Sequence, residues 1–339
     1  MALEWLDGRS NRRRAARCDT ALRNGAWRSL AARVLWEHEV PGSNPGAPIY
    51  SRAMIAVTGA TGGIGGRVAA QLAEREVQQR LVVRDGSRAP QVAGAEVAQA
   101  TYGDGEAMRT ALEGVDTLLL VSASEARDRV RQHVSAVDAA VAAGVERIVY
   151  LSFMGAAPDA TFTFARHHHA TEEHIRGIGL AATFLRSCMY AEYVPVFTGS
   201  DGVIRGPAGQ GRVAWVARDD IADVAAAVLL APGDNDGRSL DMTGPEVLSL
   251  AETADVLSRI AGRGVVYEEE TLEQAWESRR PSGAPDWELE GWVTSYTAIA
   301  AGDLEAVGDT VATVAGHPPQ SLAEFLREHP ESYRHLTGG

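Results

Sequence analysis

From Met54 onward, short apolar runs rich in β-branched residues alternate with longer stretches that have the period of a helix. Six runs predict strands: Ile55–Thr58, Leu81–Arg84, Glu96–Thr101, Thr117–Val121, Arg147–Ser152 and Ala181–Arg186. Four stretches between them predict helices: Ile64–Arg75, Gly105–Glu113, Glu125–Ala143 and Phe164–Ile178. Strands that alternate with helices form a parallel sheet covered on both faces. Right-handed crossovers then make this a doubly wound α/β fold of the Rossmann type.

Beyond Arg186 the pattern is less regular. It predicts a strand over Val213–Val216 and helices over 219–231, Ser249–Ala261, Leu272–Arg279 and Ser321–Glu328. Asp219, Asp220 and Asp223 are interpreted as capping and surface residues rather than catalytic ones. Four aromatic residues are expected to pack a small cap over the carboxyl edge of the sheet, where open α/β sheets bind ligands. They are Trp276, Trp287, Trp292 and Tyr296.

These patterns divide the chain into three parts. Residues 54–186 are predicted to form the Rossmann-type core, and residues 187–339 a mixed, mostly helical part that completes the sheet and caps the site at its carboxyl edge. Residues 1–53 carry nine arginines against five acidic residues. Their composition fits an organellar presequence, a nucleic-acid-binding arm or an extension that adds nothing to the fold. We favour a disordered or non-native extension, because Met54 stands where a domain of this type begins.

Composition removes several classes of chemistry. All 32 basic residues are arginine, so Schiff-base chemistry, a lysine acid–base group and the lysine of a P-loop are excluded. The net charge of −13 argues against a nucleic-acid partner. No apolar run approaches the roughly 20 residues that span a bilayer, so no membrane partner is expected. Two cysteines, Cys18 and Cys188, exclude a disulfide framework, and a reducing cytoplasm fits best.

The turn 59-GATGGIG-65 follows the first predicted strand and opens the first predicted helix. Gly59 permits the sharp exit from the strand, Gly62 lets the backbone approach a pyrophosphate, and Gly65 allows the helix to pack closely on the strand. The amide groups at the helix start then hold the phosphates. Glycine-rich turns also arise for packing reasons, but this context predicts dinucleotide binding. The expected contacts are Gly59, Thr61, Gly62, Gly63 and Ile64.

The second strand ends in 81-LVVRDGSR-88. An acidic residue at this place holds the ribose of NAD, whereas an arginine suits the extra 2′-phosphate of NADP. Arg84 at the strand end therefore favours NADP(H) over NAD(H). The neighbouring Asp85 leaves NAD(H) open, and Arg84 is alternatively an exposed side chain that pairs with nothing.

Two later strand ends carry further candidate cofactor contacts. After the third strand, Asp104 is interpreted either as a hydrogen-bond partner of the adenine or as the cap of the next helix. After the fourth strand, the small residues Ser122, Ala123 and Ser124 are expected to let the ribose and phosphates lie against the strand end.

An ordered series of motifs resembles the NmrA-like branch of the atypical short-chain dehydrogenases. It comprises VTGATGGIG, 149-VYLSFMGA-156, 166-RHHHATEEHIRGIGL-180, 183-TFLRSCMYAEY-193, 218-RDDIADVAAAVL-229, 242-MTGPEVLSLAETADVLSRIAGRGVVY-267 and 314-VAGHPPQSLAEFL-326, and covers about residues 54–328. The resemblance implies either an NAD(P)H-dependent quinone reductase or a silent protein that senses the NADPH/NADP balance. It also implies cofactor contacts at Ser152 and His168.

Typical short-chain dehydrogenases use a Tyr-x-x-x-Lys pair on the helix after the fifth strand. Alignment by Glu172 places Phe164 at the tyrosine position and His168 at the lysine position, so ketone reduction by that pair is not expected. His168 is predicted to contact the nicotinamide ribose or to donate a proton, and the alternative is a solvated helix surface. His167, His168 and His169 point about 100° apart on a helix, so no metal site is expected.

Quinones need less proton donation than ketones, because hydride transfer to them leaves a stabilised phenolate. A flat aromatic pocket beside the nicotinamide could therefore suffice, working by proximity. Its expected residues, of which at least two are ordinary core, are Phe153, Met154, Phe164, Met189, Tyr190 and Tyr193. His168 and Tyr190 are the candidate catalytic residues. The prediction is an NADPH-dependent reductase of a small acceptor, with a homodimer left open. The alternative is a non-catalytic NADP(H) sensor that acts through a protein partner.

Overall fold

The computed structural model describes residues 53–337. Within this range the strands, in chain order, are β1 Ile55–Thr58, β2 Gln79–Val83, β3 Ala95–Gln99, β4 Thr117–Val121, β5 Arg147–Phe153, β6 Ala181–Ser187, β7 Val203–Gly206, β8 Arg212–Val213, β9 Ser239–Met242, β10 Leu248–Ser249 and β11 Val266–Glu269. Seven of them form one sheet in the order β3-β2-β1-β4-β5-β6-β9. Every pairing in this sheet is parallel.

The helices of the same range are α1 Gly63–Glu74, α2 Gly105–Ala111, α3 Arg129–Ala143, α4 Thr163–Ile178, α5 Tyr193–Phe197, α6 Arg218–Leu230, α7 Leu250–Ala261, α8 Leu272–Arg279, α9 Asp286–Ala300, α10 Leu322–Glu328 and α11 Arg334–Thr337. The doubly wound α/β fold is thus confirmed. The strand order reverses between β1 and β4, which is the point where such sheets bind a nucleotide at their carboxyl edge.

The alternation of side chains along the central strands builds one core on each face of the sheet. On β4, Leu119 belongs to the core that includes residues of α1 and α6, while Leu118 and Leu120 belong to the core that includes residues of α2 and α3. Each of these leucines is at most 1% exposed. Near-continuous apolar strands are the expected consequence of burial on both faces.

The C-terminal part departs most from the predicted elements. β9 was not predicted, and it extends the sheet by pairing with β6 from Phe184↔Ser239 to Ser187↔Met242. The predicted strand Val213–Val216 is reduced to β8, a two-residue pairing with β10. Helix α9 was also missed. The first turn of α3 begins at Arg129 rather than at Glu125.

The interpretation of the aspartates at the start of α6 as capping and surface residues was wrong for Asp220. The N-cap of α6 is Ala217, without a side-chain cap. Asp220 is 4% exposed and accepts a hydrogen bond from the Gln320 amide at 2.8 Å, so it holds the segment before α10. Asp219 pairs with Arg67 of α1. These carboxylates therefore join elements that are distant in the chain.

The predicted extension, with Cys18, lies outside the described residues apart from Ala53. Cys188 is a free, buried thiol. Among residues 53–337, no helix combines the length and apolar character that crossing a membrane requires.

Candidate functional site

The glycine-rich turn at the end of β1 packs as tightly as its sequence predicts. Gly59 has φ +63°, a left-handed conformation that favours glycine, and its carbonyl accepts a hydrogen bond from Gly62 N at 2.9 Å. A Cβ on Gly65 would lie 2.5 Å from the Gly59 carbonyl oxygen and 2.7 Å from that of Thr58. Helix α1 therefore starts directly against β1, and its unpaired first amides face the carboxyl edge of the sheet.

Thr58 and Tyr102 tie this turn to the neighbouring strand. The Thr58 hydroxyl donates to the Leu119 carbonyl at 2.9 Å and accepts from Val121 N at 2.9 Å. The Tyr102 hydroxyl lies 2.6 Å from both the Thr58 hydroxyl and the Val121 carbonyl oxygen. These bonds join the ends of β1 and β4 beneath the turn, so the floor of the predicted nucleotide site consists of hydrogen bonds within the protein.

Beside the turn lies a cavity of about 240 Å³ lined by Thr61, Arg84, Asp85 and Arg88. Asp85 uses Oδ1 to accept hydrogen bonds from the Ser87 hydroxyl at 2.7 Å and the Ser87 amide at 2.9 Å, and these bonds lower its pKa. Neither arginine forms a salt bridge within residues 53–337, and both are exposed. The cavity thus combines two unpaired guanidinium groups with a carboxylate that is engaged in its own turn.

Arg218, which sequence reasoning missed, reaches the same turn from the start of α6. Its Cδ and Nη1 lie 3.2 and 3.4 Å from the point that a Cβ on Gly63 would occupy. Its guanidinium carbon lies 5.0 Å from the Tyr190 ring centroid and 5.6 Å from that of Tyr193. Stacking on two aromatic rings orients a guanidinium without neutralising its charge. A cation is therefore placed beside the start of α1, where phosphate groups bind in this fold.

Three predicted cofactor contacts are already engaged in bonds of the protein. Asp104 caps α2, because Oδ1 accepts a hydrogen bond from Ala107 N at 3.0 Å. The Ala123 amide donates to Nε2 of His133 at 2.9 Å. The Ser152 hydroxyl is buried and donates to Glu172 at 2.5 Å. Ser122 and Ser124, by contrast, lie in the loop between β4 and α3, the first half-buried and the second exposed.

His168 is buried inside a hydrogen-bonded network and does not lie on a solvated helix surface. Its Nε2 lies 3.2 Å from Nη2 of Arg129, and its Nδ1 lies 3.0 Å from the Tyr150 hydroxyl. Since a guanidinium only donates, Nε2 accepts, and we assign the ring proton to Nδ1, which donates to Tyr150. Burial, followed by the charge of Arg129, holds the pKa of His168 well below its usual value. The imidazole is therefore neutral at pH 7.

His133 stands at the other end of this network. Its Nε2 accepts from the Ala123 amide, so the proton of the neutral ring lies on Nδ1, which donates to the Thr171 hydroxyl at 2.9 Å. Thr171 in turn donates to the His167 carbonyl at 2.9 Å. Burial lowers the pKa of His133 to about 3. The network thus fixes the loop after β4 to helices α3 and α4 with both rings uncharged.

Arg129 is the second residue of this site that the sequence did not reveal. It is 3% exposed, and its Nε and Nη1 are buried without a hydrogen-bond partner. Its remaining nitrogen donates to the neutral His168, so no carboxylate of the described residues compensates its charge directly. A buried charge without a partner is strongly unfavourable, and such groups mark sites that receive a counter-charge.

The predicted aromatic pocket separates into two groups on neighbouring strand ends. Phe153 contacts Phe162 (ring centroids 5.0 Å apart), and Phe162 contacts Phe164 (5.5 Å). Tyr190 stacks on Tyr193 with centroids 5.5 Å apart and an interplanar angle of 13°. Phe153, Tyr190 and Tyr193 are half-buried. Met154, Phe164 and Met189 are at most 6% exposed, which confirms that at least two of the six belong to the core.

Phe164 is held by the C-terminal part. A Cβ on Gly291 of α9 would lie 2.2 Å from the Phe164 ring, and the Trp287 ring centroid is 6.0 Å away. Position 164 is therefore occupied by a buried hydrocarbon ring, which has no proton to donate. Tyr190 remains a phenol near the edge of the sheet, and burial raises its pKa, so its hydroxyl is protonated at neutral pH.

Comparison with known proteins gives a consistent result. The sequence model described as the NmrA-like family matches residues 51–326. The chain is 33% identical over 286 residues to an NAD(P)H azoreductase of Xenophilus azovorans, covering 83% of this chain and 99% of that protein. It is 34% identical over 280 residues to quinone oxidoreductase 2 of Escherichia coli, covering 80% of this chain and 97% of that protein.

A solved structure supports the same relationship. The NADPH-dependent quinone oxidoreductase of Escherichia coli, crystallised with NADPH, superposes with a TM-score of 0.74 and 32% identity. The superposition covers 81% of this chain and 99% of that chain. Similarity of this extent includes both the nucleotide-binding core and the C-terminal part.

Proposed function

The chain belongs to the NmrA-like family and is an oxidoreductase that uses a nicotinamide cofactor, and from this premise we propose that it is an NADPH-dependent reductase of a quinone or similar small electrophilic acceptor. Hydride transfer is direct and needs no Tyr/Lys pair. The observation that carries the proposal is the burial of Phe164 against Gly291, in a chain that also has the tightly packed glycine-rich turn after β1. Such a site retains the hydride source and lacks the proton donor of ketone reductases.

The residues present fit a dinucleotide. In the proposed mode the amides of Gly63 and Ile64 and the guanidinium of Arg218 hold the pyrophosphate, Gly62 lets the backbone approach it, and Thr61 lies beside them. Arg84, with Arg88, holds the 2′-phosphate of NADP by charge-assisted hydrogen bonds, and Asp85, whose Oδ1 is bonded to Ser87, lies between them in the chain. When bound, the cofactor supplies a hydride from its nicotinamide ring.

The acceptor is proposed to lie against the half-buried rings of Phe153, Tyr190 and Tyr193, on the ends of β5 and β6. These rings orient a flat apolar molecule beside the nicotinamide and exclude water from it. His168 is proposed to have a positioning role. Its ring is neutral and its proton is bonded to Tyr150, so it supports the wall of the site. Tyr190 carries the available phenol proton.

The second candidate function is an NADP(H)-binding regulator without catalysis that acts through a protein partner. Two features favour it: Phe164 aligns with the proton-donating tyrosine of typical short-chain dehydrogenases, and His168 is neutral. Both functions require the cofactor, and they differ in whether bound NADPH is consumed.

The test is NADPH oxidation by the purified full chain, followed by cofactor absorbance, with benzoquinones, naphthoquinones, an azo dye and a simple ketone as acceptors. We expect turnover with the quinones and none with the ketone. A Phe164→Tyr variant is the matched control: without a lysine, it should not gain ketone reduction. Tight NADPH binding without turnover of any acceptor would favour the regulator and overturn the reductase.

A further inference from the structure

The positive charge of Arg129 is not among the proposed contacts to the cofactor. The residue is 3% exposed, its Nε and Nη1 lack hydrogen-bond partners among residues 53–337, and its one ring contact is with a neutral imidazole. The other buried arginine of the described range is paired: Arg147, 5% exposed, binds Asp236 at 2.7 Å and the Val228 carbonyl at 3.1 Å. Arg129 is therefore arranged unlike a structural arginine.

The position of Arg129 indicates which half of the site it serves. It is the first residue of α3, directly after the loop that leaves β4, and it contacts His168 of α4, the helix that follows β5. The proposed phosphate groups lie on the other side of the strand reversal, at the turn after β1 and at Arg84 after β2. A dinucleotide that places its adenosine half at β2 places its nicotinamide half toward β4 and β5.

Charge develops at that half during the proposed reaction. A quinone that accepts a hydride, two electrons with one proton, becomes a hydroquinone monoanion, while the nicotinamide becomes oxidised. The anion then takes one proton from solvent to give the neutral hydroquinone. A fixed cation within reach of the oxygen anion stabilises this charge in a site of low dielectric constant.

We propose that Arg129 is an oxyanion-binding residue whose free guanidinium edge receives an anionic oxygen at the carboxyl edge of the sheet, and that this oxygen belongs to the acceptor. The inference rests on the proposed reductase function and names its charge-stabilising residue. An anionic oxygen of a cofactor phosphate has the same chemistry and is the other source. The strand order favours the acceptor.

Access to Arg129 requires a local movement, because both free nitrogens are covered. The adjacent loop, residues 122–128, contains the exposed Ser124 and Arg127, whose side chains form no hydrogen bond or ion pair with the rest of the described chain. The loop is fixed at Ala123 by His133 and at Asp128 by Gln132 at 2.8 Å. Between these two points the Ala126 carbonyl accepts a hydrogen bond from Arg129 N at 3.1 Å, so an acceptor reaches the guanidinium only if this loop moves.

The experiment measures binding to the NADP-loaded full chain, so that it does not depend on turnover. The probes are 4-nitrophenolate and its neutral analogue nitrobenzene, titrated into the wild type, Arg129→Met, Arg129→Lys and the control Arg131→Met. Arg131 lies two residues further along α3 with a side chain that is 81% exposed. A parallel titration measures the affinity of each variant for NADP itself.

We expect the wild type and R131M to prefer the phenolate, R129M to lose about tenfold or more of that preference, and R129K to retain part of it. Equal binding of both probes by the wild type overturns the inference even if R129M does not fold. If R129M binds NADP more weakly but keeps the phenolate preference, the anionic oxygen belongs to the cofactor. That result also overturns the inference. The reductase proposal fails separately, through absence of turnover with every quinone.

Discussion

Nε2 of His168 faces the guanidinium of Arg129 at 3.2 Å, and both side chains are buried. This contact gives the imidazole an acceptor role and opposes its protonation. The hydrogen-bonded network around His168 and His133 therefore contains one permanent cation, Arg129, and two uncharged histidine rings, which determines its dependence on pH.

We expect the free energy of unfolding to decrease in acid, because the buried histidines resist protonation in the folded state. His133 is the better probe, since its pKa is lowered to about 3. The pKa of His133 in the folded state lies below its unfolded value of about 6.5. The contribution of the neutral ring to the free energy of unfolding is therefore fully present above pH 6.5 and is lost as the pH falls toward 3. One such group changes the free energy of unfolding by about 1.4 kcal/mol per pH unit in that window.

Urea unfolding at several pH values tests this expectation. His133→Gln should flatten the acid limb of the wild-type profile, because glutamine does not titrate. His169→Gln, on the adjacent helix α4, serves as the matched control substitution. Parallel profiles for wild type and H133Q would contradict a neutral buried His133.

Two glycines in helices should respond to alanine in opposite directions. A Cβ on Gly65 would lie 2.5 Å from a backbone oxygen, so Gly65→Ala should destabilise the chain by several kcal/mol, on the order of 3, and disrupt cofactor binding. Gly177 of α4 has nothing within 4 Å of its Cβ position, so Gly177→Ala should stabilise by about 0.5–1 kcal/mol. Denaturant midpoints distinguish them, and equal effects would disprove the close packing at Gly65.

The preference for NADP is expected to depend on Arg84 and Arg88. The double change Arg84→Gln and Arg88→Gln should weaken NADPH binding about tenfold or more, because charge-assisted hydrogen bonds to a phosphate are lost, and leave NADH binding nearly unchanged. Fluorescence titration with both nucleotides measures this. Asp85→Asn is the companion variant, and a large loss of NADH affinity on that change would show that Asp85 holds a ribose after all.

Arg218 is expected to act on both nucleotides alike, since they share the pyrophosphate. Arg218→Met should weaken NADPH and NADH binding by similar factors, about tenfold, while Arg75→Met at the opposite end of α1 should affect neither. Selective loss of one nucleotide would place Arg218 elsewhere than at the pyrophosphate.

The sequence predicted the nucleotide-binding half well because its signals are local. Strands β1 and β4 begin and end where the pattern of apolar residues predicts, and the glycine spacing reports backbone geometry within a single turn. β9 was not predicted because a strand of four residues with only two buried side chains is too short to show a clear alternating pattern. Helix α9 escaped because its apolar residues do not form one narrow stripe.

The site residues that were missed depend on contacts between distant parts of the chain. Arg218 reaches Gly63 only because α6 packs beside α1. Phe164 was predicted as a pocket residue, and its burial depends on Gly291, which leaves room for its ring. The unpaired state of Arg129 is a property of the folded interior, since an arginine at a helix start is commonplace in a sequence. His168 was identified, but its neutral state follows from partners that only the fold supplies.

The pairing of β6 with β9 has a consequence for synthesis. When residue 187 leaves the ribosome the nucleotide-binding strands are complete, yet β6 still presents an unpaired edge, and such edges recruit other strands. That edge is closed only after Met242 has emerged, some 55 residues later. A fragment ending near residue 187 should therefore aggregate, and the nascent chain passes through an interval in which protection by a chaperone would be most useful.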